Sequence, residues 1–258
     1  MVIKAIMCDV DGTLLNDEGY VSPFTIEMIK KAKEQGILFG LCTGRDVDSV
    51  KTLLETWGVN NIVDIIVGTG GAEIYDYILG IDKSNYPLDG ALIQDIINHY
   101  EGMDLNFAIP YEGILYAPKD DKYIQMLSYF DKVPYKVVDF KEFLKEPKSK
   151  VMIVCDEGYM EKVIEKSKTF HNENYKSASL KTASVLYEYM DSRVTKTNGL
   201  IEALKMHDLS LDELCVFGDA DNDYDMVKML RWVLLWQMVV KKRRVQRIIL
   251  QKIIIMMV

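Results

Sequence analysis

Histidine and cysteine are scarce: three of one and four of the other in 258 residues. His99, His171 and His207 are scattered, so spacing supports no zinc cluster. Cys8, Cys42, Cys155 and Cys215 lie far apart, each in or at the end of an apolar run, with no Cys-x-x-Cys pair. Buried thiols in a reducing cytoplasm are therefore expected. Also missing are the phosphate-cradling Gly-x-x-x-x-Gly-Lys-Ser/Thr loop and the Gly-x-Ser-x-Gly elbow, so nucleotide-driven phosphotransfer and serine hydrolysis have no support. The first apolar run, residues 3–8, is short, carries Lys4 and meets Asp9 and Asp11, which argues against a secretory leader. No apolar stretch reaches the ~20 residues of a membrane span.

What is present is an ordinary globular balance, 49% hydrophobic and 27% charged. The net charge is −8, yet residues 226–258 hold eight Lys or Arg and no acid, which leaves the first 225 residues at −16. A body that acidic speaks against nucleic acid as partner.

Four short apolar runs, residues 3–8, 37–42, 62–67 and 214–217, end in polar or glycine-rich loops and suit strands buried on both faces. Between the first two, Ser22 as N-cap, Pro23 in the first turn, Ile26, Ile29 and Ala32 on one face and Gly36 past the end describe a helix. A second helix runs over residues 48–57 and stops at Gly58. This βαβ series predicts an α/β fold: a doubly wound three-layer core with a parallel sheet. From about residue 83 to 189 the rhythm changes to an α+β insert. Helices are expected over 89–100, 119–130 and 159–170, strands over 105–109, 114–117 and 150–155, and a hairpin over 178–189. The expected domains are thus 1–82 with 190–258, and 83–189.

Chemistry gathers where strands end. Asp9-Val10-Asp11-Gly12-Thr13 follows the first strand, at the sheet edge where ligands bind in open parallel sheets. Two carboxylates one residue apart can both face the crevice there: one attacks phosphorus, the other moves a proton. Thr43-Gly44-Arg45 follows the second strand and offers a hydroxyl and backbone amides to phosphoryl oxygens. Lys196 opens an apolar-periodic helix, and a lysine beside crowded carboxylates and phosphate would neutralise charge. Gly218-Asp219-Ala220-Asp221-Asn222-Asp223 supplies oxygen ligands for a hard cation such as Mg2+. A calcium EF-hand reading of that segment fails, because Tyr224 and Leu230 stand where Gly and Glu are required.

In order and spacing these four segments resemble the motifs of the haloacid dehalogenase superfamily, and the large insert resembles the cap of its Cof-like subclass (IIB). The resemblance implies a Rossmann-like core with an inserted cap, and a cytoplasmic Mg2+-dependent phosphatase of small phosphorylated metabolites, such as sugar phosphates, working through an aspartyl-phosphate. It implies Asp9 as nucleophile and metal ligand, and Asp11 as general acid/base that ligates metal through its backbone carbonyl. Thr43, Gly44, Lys196 and Asn222 would bind phosphate, Asp219 would complete the metal ligands, and Asp223 would support metal-bound water. Specificity would lie on the cap, where Tyr111, Glu112 and Glu188 are candidates. Two departures stand out: Gly70-Gly71-Ala72 where relatives usually read Asn-Gly-Ala, and Lys196-Thr197 where Lys-Gly is commoner. A phosphomutase or a phospho-accepting receiver domain are the alternative readings. The oligomeric state leaves no trace in the sequence.

The tail is foreign to that pattern. Tryptophan and methionine have single codons, so part of the neighbouring reading frame can be rebuilt from each codon's last base and the next codon's first two. Trp232-Val233 then forces glycine, Trp236-Gln237 alanine and Met238-Val239 glycine, and permitted bases between them give Gly-Val-Ala-Met-Ala-Asn-Gly, close to the expected Gly-x-Ala-Met-x-Asn. Met256-Met257-Val258 likewise forces Asp-Gly. The expectation is a tail read out of frame from between about Met226 and Trp232. A basic arm for anionic surfaces is the rival reading.

Overall fold

The computed structural model describes residues 3–172, 176–218 and 233–235; Asp219, Asn222, Asp223 and the rest of the basic tail lie outside the described residues. Two compact units divide the chain, one of Met1–Lys83 with Thr195–Val258, the other of Ser84–Val194.

The first unit begins with β1 (Ala5–Cys8), α1 (Pro23–Glu34), β2 (Leu38–Cys42), α2 (Val47–Trp57), β3 (Ile65–Gly68), β4 (Glu73–Asp76) and β5 (Ile81–Ser84). Ser22 caps α1, its hydroxyl accepting from the Thr25 amide, and Pro23 at the first position has no amide to satisfy. Asp46 caps α2 in the same way through the Ser49 amide, and Gly58 closes that helix in the left-handed conformation.

The second unit contains α3 (Gly90–His99), β6 (Asn106–Tyr111), β7 (Ile114–Ala117), α4 (Lys122–Asp131), β8 (Tyr135–Val137), α5 (Phe140–Phe143), β9 (Val151–Val154), α6 (Met160–Ser167), β10 (Ser177–Ala183) and β11 (Leu186–Asp191). They form a six-stranded sheet in the order β10-β11-β9-β6-β7-β8. Side chains alternate across it: Phe107, Ile109, Val151 and Ile153 pack with α3 and α6, while Ala108, Met152 and Val154 pack with α4.

The chain then returns to the first unit with α7 (Lys196–Met206), β12 (Leu214–Gly218) and β13 (Val233–Leu235). Its sheet runs β13-β12-β1-β2-β3-β4-β5. Alternation on β1 shows why the apolar runs are continuous. Ile6 and Cys8 pack against α1 and α2, whereas Ala5 and Met7 pack against Leu200, Ala203 and Leu204 of α7. Both faces are covered, giving the three layers expected.

The sheet departs from a purely parallel one at its edge. Strands β13 through β3 pair in parallel, but β4 pairs antiparallel with β3. Only residues 69–72 separate β3 from β4, and four residues cannot carry a parallel crossover. Among the described residues no helix is long and apolar enough to cross a membrane.

Candidate active site

The parallel register brings three chain segments to one sheet edge. Cys8 is paired with Phe217 on one side and Leu41 on the other, and the Asp9 amide donates to the Phe217 carbonyl at 2.8 Å. The C-terminal ends of β1, β2 and β12 therefore lie side by side. Asp9 leaves first and stays buried. Asp11 follows in extended conformation, and Gly12 (φ +85°) turns the chain so that the Leu14 amide returns to the Asp9 carbonyl at 3.2 Å.

Lys196 is the first residue of α7, set there by Thr195, whose hydroxyl accepts from the Asn198 amide. Its ammonium donates to Asp9 Oδ1 at 2.6 Å, with side chains only 3% and 9% exposed. Either charge left alone at such depth would be strongly disfavoured, so each fixes the other. Thr43 is buried directly after β2; its amide donates to the Val67 carbonyl at 2.9 Å and its hydroxyl accepts from the Arg45 amide at 3.2 Å. Gly44, between them, is exposed at the rim.

Arg45, which the sequence left without a role, forks onto Asp11: Nε to Oδ2 at 2.9 Å and a terminal nitrogen to Oδ1 at 3.1 Å. Planar two-point geometry of this kind orients a carboxylate as well as attracting it. Also unassigned by sequence was the turn Thr69–Gly71. The Thr69 amide donates to the Arg45 carbonyl at 2.7 Å and the Gly70 amide to the Thr43 carbonyl at 3.0 Å, lacing the loop after β3 to the loop after β2. Thr69 is fully buried at φ +48°, a conformation that branched residues rarely adopt. The sequence had marked this segment only through Gly70-Gly71-Ala72, where relatives usually read Asn-Gly-Ala.

The structure thus joins Asp9 with Lys196, and Asp11 with the Thr43-Gly44-Arg45 loop. Gly218 ends β12 beside them and is followed in the chain by Asp219. Burial pushes the Cys215 thiol up to about 12 and that of Cys155 up to about 11, which disfavours either as a nucleophile. In the second unit, Tyr111 and Glu112 sit at the β6–β7 turn, whereas Glu188 is tied to Lys150 in a buried ion pair at 2.9 Å.

A family model described as haloacid dehalogenase-like hydrolase matches residues 6–233. The chain belongs to that family. This HAD hydrolase is 26% identical over 228 residues to a protein of Buchnera aphidicola that carries a provisional phosphatase name, covering 87% of this chain and 82% of the relative. A likewise named protein of Streptococcus pyogenes is 25% identical over 233 residues, covering 89% and 86%. Over 74 residues, 29% of this chain and 24% of the relative, it is 40% identical to a 5-amino-6-(5-phospho-D-ribitylamino)uracil phosphatase of Bacillus subtilis. In fold it matches a haloacid dehalogenase-like hydrolase of Bacteroides thetaiotaomicron, with TM-score 0.78, 22% identity and coverage of 88% and 86%. A sugar phosphatase of HAD subclass IIB superimposes with TM-score 0.72 at 19% identity, covering 89% and 86%. On the family model and the relatives the chain is a Cof-like HAD enzyme, a phosphoric monoester hydrolase, and its fold is that of HAD hydrolases.

Proposed function

We propose that this HAD hydrolase is a magnesium-dependent phosphatase of small phosphate monoesters, sugar phosphates or similar metabolites, acting through an aspartyl-phosphate on Asp9. The observation that carries this reading is the buried Lys196–Asp9 contact at the end of β1. A carboxylate paired with a fixed ammonium, at the edge of a parallel sheet, is a nucleophile held in place.

In the first half-reaction an Asp9 carboxylate oxygen bonds to phosphorus, the bond to the leaving oxygen breaks, and Asp11 gives that oxygen its proton. In the second, Asp11 takes a proton from water, the water oxygen bonds to phosphorus, and Asp9 departs as a carboxylate with inorganic phosphate released. Thr43, Gly44, Lys196 and Asn222 hold the phosphoryl oxygens through a hydroxyl, an amide, an ammonium and a carboxamide. Arg45 aims Asp11.

Asp9 and Asp11 present oxygen donors only, the chemistry that a hard cation prefers. No group of three His, Cys, Asp or Glu gathers among the described residues, and Asp219 would supply the remaining carboxylate. This donor set fits magnesium, which Asp9, the Asp11 carbonyl and Asp219 would hold, with Asp223 behind it; bound there, it would offset charge on the transferring group. We assign substrate choice to the Ser84–Val194 unit as a cap, and the cytoplasm as the place of action, which suits buried thiols.

The test is phosphate release from a panel of sugar phosphates with magnesium or with a chelator. Repeated turnover that the chelator abolishes is expected. Turnover unaffected by the chelator contradicts the metal assignment, and uptake of a single phosphate without release would instead make the chain a phospho-accepting receiver.

A further inference from the structure

We propose that Gly71 and Gly199 are positioning residues: their backbone-on-backbone contact sets where Lys196 stands against Asp9. The inference rests on the phosphatase reading above.

Gly199 lies one turn into α7, three residues after Lys196. A Cβ there would stand 2.6 Å from the Gly71 Cα, 2.7 Å from Val67 Cγ1 and 3.1 Å from the Gly71 carbonyl oxygen. From the other side, a Cβ on Gly71 would stand 2.1 Å from the Thr195 carbonyl oxygen and 3.3 Å from the Lys196 nitrogen. Most of these neighbours are backbone, not the yielding tip of a flexible side chain. The start of α7 therefore rests directly on the turn after β3, and one methyl group between them must lift the helix.

That turn is itself fixed. Thr69 and Gly70 donate their amides to the Arg45 and Thr43 carbonyls, and Gly71 holds φ +109°, which side-chain-bearing residues avoid. Close-packed interiors transmit such displacements instead of absorbing them. Lys196 heads the lifted helix, and its 2.6 Å contact with Asp9 leaves no slack. Misplacing a reacting group by about 1 Å can cost on the order of a hundredfold in rate. Two positions without side chains thus govern the phosphoryl site through the lysine they place.

A double-mutant cycle reads this out. Gly199→Ala, Lys196→Ala and the double variant are compared by kcat, KM and the Kd of inorganic phosphate measured by calorimetry, each after thermal melting shows a folded protein. Alanine is the better helix former at position 199, so any harm comes from the contact itself. Expected is a loss of roughly tenfold or more in kcat for Gly199→Ala, with weaker phosphate binding. In the Lys196→Ala background the glycine substitution should do no further harm, because its effect runs through that lysine. Additive losses, or a Gly199→Ala enzyme equal to wild type, would overturn the inference. Should Gly199→Ala fail to fold, Gly71→Ala enters the same contact from the opposite side and must show the same non-additivity. A wild-type enzyme that neither binds phosphate nor releases it contradicts the phosphatase reading instead, and with it the basis of the inference.

Discussion

Asp9 and Lys196 are 187 positions apart in the chain and 2.6 Å apart in space. Each was legible in the sequence because it borders a regular element: an acid pair directly after an apolar strand, and a lysine at the start of a periodic helix. Arg45 was not, since its partner Asp11 lies 34 positions away and only the fork geometry reveals the pair. Glu188 shows the converse. As an acid in the insert it was a natural specificity candidate, yet its carboxylate is spent on Lys150. Arg45→Lys keeps the charge but loses the two-point fork, and lysine does not substitute for arginine at such sites. Its kcat should fall by roughly tenfold, with little change in unfolding temperature because Asp11 is half exposed. Steady-state kinetics beside a thermal melt check this, and an unchanged kcat would remove Arg45 from the account.

At the scale of elements, the strands buried on both faces were legible because nothing polar interrupts them, α1 because Ser22 and Pro23 spell out its start, and α2 because Gly58 stops it, while its cap Asp46 was not read. The short β4, β5, β8 and α5 escaped: three or four residues without a continuous apolar run give little period to count. The antiparallel edge followed from the four-residue connection 69–72, which sequence could not show until β4 was known. Within the second unit, the Lys150–Glu188 pair joins β9's start to β11 with side chains 5% and 7% exposed. Glu188→Ala leaves an ammonium buried without that carboxylate and should cost about 3 kcal/mol. Replacing both, as Lys150→Met with Glu188→Leu, should recover most of that. Urea unfolding of the three proteins decides it, and a neutral Glu188→Ala would show that the lysine finds other compensation.

For the whole molecule, the order of segments along the chain revealed the family, and the tail is what the family leaves over. The family match ends at residue 233, where the rebuilt neighbouring frame reads Gly-Val-Ala-Met. The strand β13 fits either frame, because Val-Leu-Leu and Val-Ala-Met are both apolar triplets. We infer that the tail is out of frame relative to its relatives, through a genuine mutation or a sequence error between about codons 226 and 232, and resequencing that stretch of the gene tells the two apart. Close relatives with the same basic tail in an uninterrupted frame would contradict this. Whatever the tail, the central claim is that phosphate passes through Asp9. Brief reaction with substrate labelled in its phosphate, followed by acid quench and peptide mapping, tests it most directly. The account predicts an acid-stable, hydroxylamine-labile label on the peptide containing Asp9, absent from Asp9→Asn. Label on another residue, or equal labelling of the variant, would contradict it.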